Sequence, residues 1–364
     1  MTCSSLSPPP DRSDTPGNPA VAQRCLELCL LHRLQGASRR TACRCGARGS
    51  PGTGRRAQGA RFLPDGRALG MAHEVRESRL LIVGLGLIGG SLAAALRDAG
   101  FEGEVLACDP DADEIARGVE MGLIERGDTH LATLLDGVSM IVLAVPVLAM
   151  REVLETLAEQ GVADDPSVVI TDVGSTKGAI REAAEAAFGR LPVNLVLGHP
   201  IAGSEKSGVA ASDPHLYAQH KVILTPMATT NRRAVARVRS LWQATGAEVL
   251  EMEVERHDQV LARTSHLPHL LAFSLVDTLA RQDERLEIFR YAAGGFRDFT
   301  RIAGSDPVMW RDIFTANRQA VLAASMISKR GSLACGKPSA TVMPMPCCRP
   351  SIAPVMPDTT SILY

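Results

Sequence analysis

Four apolar residues, Leu80-Leu81-Ile82-Val83, run directly into Gly84-Leu85-Gly86-Leu87-Ile88-Gly89, and no other stretch restricts the fold of the chain so strongly. A short apolar run, half of it β-branched, suits a strand buried on both faces. A G-x-G-x-x-G spacing placed where that strand meets a helix is the turn a dinucleotide-binding crossover requires. Gly84 permits the tight turn, Gly86 lets a pyrophosphate approach the backbone with no Cβ in the way, and Gly89 lets the helix pack closely on the sheet. The phosphates would rest on the free N–H groups of the first helical turn, at Leu87 and Ile88.

The surroundings fit. Ser91 to Ala99 carries Leu92, Ala95, Leu96 and Ala99 on one helix face and stops at Gly100, a favourable C-terminal cap. Glu104 to Cys108 reads as a second strand, and Asp109 follows it about 20 residues beyond the last glycine, where such folds hold the ribose hydroxyls. A carboxylate there repels a 2′-phosphate, so the expected cofactor is NAD rather than NADP. Asp109 also begins the turn Asp109-Pro110-Asp111, and the two roles are compatible. Ser139 to Pro146 is a third buried strand, and Val145 and Pro146, beyond its carboxyl end, border the cofactor. Further strands are expected at 168–173, 194–197, 222–224 and 247–250, alternating with helices. The fold class is therefore α/β: a Rossmann-type, mostly parallel sheet domain over residues 76–252. From residue 253 to 328 the strand period is lost, and an all-helical domain is expected. It comprises one long helix from Glu255 to about Arg281, kinked or interrupted by Pro268, and another from Pro307 to about Ile327, capped by Ser305 or Asp306.

The chain has 39 basic and 40 acidic residues among 364, and this balance argues against a nucleic-acid or membrane-surface protein. The longest apolar runs are strand-sized, too short to span a membrane. Only Cys108 of nine cysteines falls within the patterned region, which is no disulfide framework and fits a reducing cytoplasm. Residues 1–75, rich in Pro, Gly, Ser and Arg, read as a disordered extension. They are either a transit peptide or text that is not native coding sequence, with Met71 as the natural start. Residues 329–364, with six prolines from Pro338 to Pro357, read as an unstructured tail.

Three polar clusters could carry chemistry. Gly198-His199-Pro200 opens a loop on the cofactor side of the sheet, where a neutral imidazole could accept a hydroxyl proton; the plainer reading is a turn histidine bonded to backbone. Ser265-His266-Leu267-Pro268-His269 places two histidines on one helix face, but no Cys, Asp or Glu completes a ligand set there, so no metal is expected. Gly294-Gly295-Phe296-Arg297-Asp298-Phe299-Thr300-Arg301, followed by Trp310 and Arg311, offers three arginines, any one of which could bind a carboxylate.

The glycine motif, Asp172-Val173-Gly174-Ser175-Thr176-Lys177, the segment Gly198 to Gly208, Thr264 to His269 and Ala293 to Arg301 together closely resemble the prephenate dehydrogenase family, which includes arogenate dehydrogenases. The resemblance runs in order from about Arg79 to Ala324. It implies NAD-dependent oxidative decarboxylation of prephenate to 4-hydroxyphenylpyruvate in tyrosine biosynthesis, in a cytoplasmic homodimer. It implies His199 as the catalytic histidine, with Ser175 beside it. Arg301 would bind a substrate carboxylate, and His269 would be a second substrate-side histidine. Glu205 and Asp258 match acidic residues near the site entrance, and Trp310 matches a tryptophan reaching in from the partner subunit. Gly294 lies where substrate, or tyrosine as inhibitor, meets backbone. Family members continue with more helices beyond Ile327, which the proline-cysteine tail replaces here; a frameshift or truncated coding sequence would explain that. The alternatives are an arogenate dehydrogenase, or an NAD-binding protein impaired by the loss of dimer helices.

Overall fold

The computed structural model describes residues 79–165, 167–204, 206–283 and 285–335. Their first part is a six-stranded parallel sheet of order β3-β2-β1-β4-β5-β6, formed by β1 (Leu80–Val83), β2 (Val105–Cys108), β3 (Arg126–Asp128), β4 (Met140–Leu143), β5 (Val169–Asp172) and β6 (Leu195–Val196). The central strand β1 pairs in register with β2 on one side and β4 on the other. Its alternation feeds two cores: Leu80 and Ile82 join one side, and Leu81 and Val83 the other. Helices α1 (Leu87–Asp98) and α5 (Arg232–Ala244) cover the first face, with Leu92, Leu96, Leu241 and Trp242 packed there. Helices α3 (Met150–Glu159) and α4 (Gly178–Phe188) cover the second, through Leu154, Leu157, Ile180 and Ala184. Because both faces are covered, all four residues of β1, β2, β4 and β5 are buried, which is why these strands read as unbroken apolar runs. Helix α2 (Ala112–Glu120) is capped by Asp111, whose side chain accepts from Asp113 N–H.

A second, three-stranded sheet follows. β7 (Gly198–Pro200) pairs antiparallel with β8 (Lys221–Leu224), and β8 pairs parallel with β9 (Glu248–Glu251). Of the expected strand over 194–197 only Leu195 and Val196 pair, as β6, and β7 begins beyond it. β6 ends the large sheet, and His199, expected in a loop, lies on a short strand of the small one. β3 has no counterpart among the expected strands. It is a three-residue edge strand with an exposed arginine, and it carries no apolar pattern.

The helical part contains α6 (Val254–Leu261), α7 (Leu267–Ala280), α8 (Arg285–Arg290), α9 (Gly294–Thr300), α10 (Pro307–Ala316) and α11 (Arg318–Cys335). The long helix expected from Glu255 is continuous in backbone but carries a π-helical turn, Ala262–His266, which leads directly into α7 and falls just before Pro268. The helix expected from Pro307 to Ile327 is broken at Asn317, which ends α10. Asp306 caps α10 by accepting from Met309 N–H, as expected. Helix α11 runs on to Cys335, so the helical region extends past residue 328, into the segment expected to be unstructured. The expectations for residues 1–75 and for the tail beyond Cys335 lie outside the described residues. Among the described residues, no helix is long and apolar enough to cross a membrane.

Candidate active site

The glycine turn shows three different backbone demands. Gly84 has φ +98°, a left-handed conformation that side chains avoid, and a Cβ there would sit 2.5 Å from the Ala144 carbonyl oxygen. Gly89 packs so close that a Cβ would lie 2.1 Å from the Gly84 oxygen and 2.9 Å from Ile82. Gly86, the residue before α1, has nothing within 4 Å of where its Cβ would be. The middle glycine therefore faces open space beside the free N–H groups of α1, as a phosphate cradle needs. Asp109 closes the far side of this turn: its Oδ2 accepts from Leu85 N–H at 2.7 Å. Val145 is half-buried against Gly84, and Pro146 is exposed beyond β4. These residues fit the adenosine and pyrophosphate parts of a dinucleotide.

A chain of hydrogen bonds fixes His199. Asp258 accepts from the backbone N–H groups of Lys177 (2.8 Å) and Gly178 (2.9 Å), at the start of α4. It also bonds His257 Nδ1 at 2.8 Å, and His257 Nε2 lies 2.8 Å from His199 Nδ1. Burial pushes the Asp258 carboxyl up, but the His257 bond and the two backbone N–H groups outweigh it and hold the group below the ordinary carboxylate value. An ionised carboxylate only accepts, so His257 carries its proton on Nδ1 and leaves Nε2 bare. That bare nitrogen accepts from His199 Nδ1–H, which leaves His199 Nε2 as a free lone pair; among the described residues no protein group bonds it. Burial, reinforced by His257, Lys177 and His266, holds the His199 imidazole well below its ordinary value and therefore neutral. What results is an oriented, uncharged proton acceptor. Ser175 is half-buried in the loop between β5 and α4, the segment that leads into the Lys177 and Gly178 N–H groups.

The second cluster joins the first through Asn317. Its Nδ2 donates to the Asp258 carbonyl (2.9 Å) and lies 3.0 Å from His266 Nδ1. Since Nδ2 only donates, His266 carries its proton on Nε2; burial pushes its pKa down to about 4, so it too is neutral. His266 meets Trp310 edge to face at 6.1 Å between centroids, and His269 stacks on Trp310 at 3.6 Å. His269 Nδ1–H donates to the Ser265 carbonyl at 2.9 Å, leaving Nε2 available. Burial lowers the His269 pKa, and the charge of nearby Arg301 adds to it, so an arginine suited to a carboxylate stands by a neutral histidine.

Of the residues singled out in the sequence, His199, Asp258, His269, Trp310 and Arg301 gather into one region. Asp258, expected near the entrance, is half-buried, with its carboxylate committed to α4 and His257. Trp310, expected from a partner subunit, stacks on His269 of its own chain and is 7% exposed. Gly294 begins α9, and a Cβ there would meet nothing within 4 Å. Glu205 lies outside the described residues. His257, Asn317 and Lys177 were not singled out; only His257, which shares the buried face of a mostly polar helix with Val254 and Leu261, carried a signal that could have found it.

A parallel sheet with an open glycine cradle, joined to helices that carry the partners of a neutral histidine, defines a dinucleotide-binding protein of Rossmann type. The family model of the prephenate dehydrogenase nucleotide-binding domain matches residues 92–251, and that of the prephenate dehydrogenase dimerization domain matches 253–327. The chain belongs to the prephenate dehydrogenase family. Prephenate dehydrogenase of Bacillus subtilis is 38% identical over 247 residues, 67% of this chain and 65% of that protein. Cyclohexadienyl dehydrogenase of Zymomonas mobilis is 36% identical over 249 residues, 67% of this chain and 82% of that protein. A solved structure, prephenate dehydrogenase from Aquifex aeolicus in complex with hydroxyphenyl propionate and NAD+, superposes with a TM-score of 0.65 at 41% identity, covering 70% of this chain and 88% of that one. Synechocystis arogenate dehydrogenase gives 0.58 at 28% identity, over 69% and 88%.

Proposed function

We propose that this chain is a prephenate dehydrogenase, catalysing the NAD-dependent oxidative decarboxylation of prephenate to 4-hydroxyphenylpyruvate for tyrosine synthesis in the cytoplasm. The observation that carries the reading is the free Nε2 lone pair of His199, fixed by Asp258 through His257. Hydride loss from the ring carbon that bears the hydroxyl builds positive charge there, and a neutral, oriented imidazole relieves it by taking up the hydroxyl proton, which returns to that oxygen as the carboxylate leaves and the phenol forms. Ser175 would stand beside the imidazole as a second hydroxyl contact. Arg301 pairs with a substrate carboxylate, and His269, with Nε2 free, reaches the polar side chain. The same pocket, with Gly294 at its edge, would take tyrosine as an inhibitor. Gly84, Gly86, Leu87, Ile88, Gly89, Asp109, Val145 and Pro146 would hold NAD, which when bound supplies the hydride acceptor. Loss of carboxylate makes the ring aromatic, so the protein's task is alignment and proton acceptance. The helical domain would bring two copies together as a homodimer.

The test is nicotinamide reduction, followed by absorbance, with the purified chain and prephenate or arogenate, each with NAD and NADP. Turnover with prephenate and NAD is the expected result. Turnover with arogenate alone moves the assignment to an arogenate dehydrogenase, as named for the Synechocystis relative. NAD binding without turnover on either substrate contradicts the reading.

A further inference from the structure

The residue before His199 is gripped at both of its backbone groups by one buried ion pair. Asp172, the last residue of β5, accepts from Gly198 N–H through Oδ1 at 3.1 Å. Lys177 donates from Nζ to the Gly198 carbonyl and pairs with Asp172 Oδ2. Both side chains are fully buried. Asp172 Oδ2 also accepts from Gly174 N–H at 2.8 Å, so the pair ties β5, the loop after it and β7 into one unit. The fit is tight: a Cβ at Gly198 would lie 3.0 Å from the Asp172 carbonyl oxygen and 3.3 Å from Leu224.

Strand pairing alone would leave this peptide free on one side. The bonds from Thr225 N to the Leu197 oxygen and from Ile201 N to the Lys221 oxygen bracket β7, and by the alternation of an antiparallel ladder the Gly198 groups turn away from β8. Asp172 and Lys177 meet them there. A buried ion pair is weak evidence for stability, because desolvation of two charges offsets their attraction. Its geometry here is better explained by what it holds.

We infer that the Asp172–Lys177 pair is a positioning device for His199, fixing the Gly198 peptide so that His199 Nδ1 stays on His257 and Nε2 stays free. This rests on the reading of His199 as the proton acceptor. Neither residue touches substrate; they act through the backbone.

Lys177→Met alone leaves Asp172 as an uncompensated buried charge and is expected to unfold the domain, so the decisive protein is the full chain with Asp172→Leu and Lys177→Met together, an apolar pair of similar volume. Three properties are compared with the unaltered chain: thermal unfolding; kcat, KM for prephenate and Kd for NAD; and the ring nitrogen signals of His199 by NMR. A misplacement of this kind costs about 10²-fold in rate. The expected result is a folded double variant with kcat about 10²-fold lower, KM and Kd within about two-fold, and His199 averaging between its two neutral tautomers where the unaltered chain holds the Nδ1–H form alone. A folded double variant that keeps unaltered kcat, or keeps the single tautomer, overturns the inference. The nitrogen signals need no turnover: an inactive unaltered chain would sink the reading of the reaction and still leave the tautomer to decide the role of the pair.

Discussion

At the scale of single residues, the chemistry comes from deciding which nitrogen of each histidine carries a proton. Asp258 makes that decision once, and His257 transmits it to His199. The chain predicts a contrast between two substitutions. His257→Leu removes the acceptor for His199 Nδ1–H and should lower kcat by about 10²–10⁴-fold, the range expected for loss of a positioned base. His257→Gln offers an amide oxygen in its place and should retain at least about tenfold more activity than the leucine variant. Equal turnover of the two, measured at saturating substrate, would mean that the tautomer of His199 is set by something else. His199 could be picked out in the sequence because it sits in a recognisable segment, and Asp258 through the family resemblance alone. Asn317 could not, since its value comes from reaching the Asp258 carbonyl and His266, residues 59 and 51 positions away, and no local pattern records such a meeting.

At the scale of elements, the first crossover was legible because its demands are local. A positive φ at Gly84 and a helix in contact with a strand at Gly89 can be met only by glycine, so the backbone requirement appears in the sequence itself. The two later glycines separate packing from binding. Gly89→Ala forces the helix off the strand and should cost about 1–3 kcal/mol of stability, as overpacked sites do. Gly86→Ala meets no protein atom within 4 Å and has a φ of −85°, so it should leave the unfolding temperature nearly unchanged while weakening NAD binding. Thermal unfolding and NAD titration of both variants check this, and a stability loss confined to Gly86→Ala would reverse the assignment. The helical half was less legible. The π-helical turn before Pro268 and the break at Asn317 are set by contacts between helices, with Ala262 packed against Val321 and Ala324, and periodicity alone reads through both. β3 and β7, three residues each, are too short to show alternation.

At the scale of the whole molecule, the sheet part and the helical part share the site: β7 carries His199, α6 carries its partners, and α7 and α10 bring His269 against Trp310. The helical part leaves several large apolar side chains exposed. Leu322 and Met326, four residues apart on α11, are 49% and 63% exposed, and Leu271 on α7 is 45% exposed. A second copy is the partner proposed for this surface, in keeping with the dimerization-domain match over 253–327. Sedimentation of the full chain should therefore show a dimer that Leu322→Asp with Met326→Asp converts to monomer. A monomer at all concentrations would remove the basis for the dimer.

The central claim is that His199 is the proton acceptor and takes no part in holding the dinucleotide. It is tested most directly by kcat for prephenate oxidation in His199→Asn beside a titration of the same protein with NAD. The account predicts a fall of about 10²–10⁴-fold in kcat with NAD affinity nearly unchanged. Unaltered kcat would contradict it.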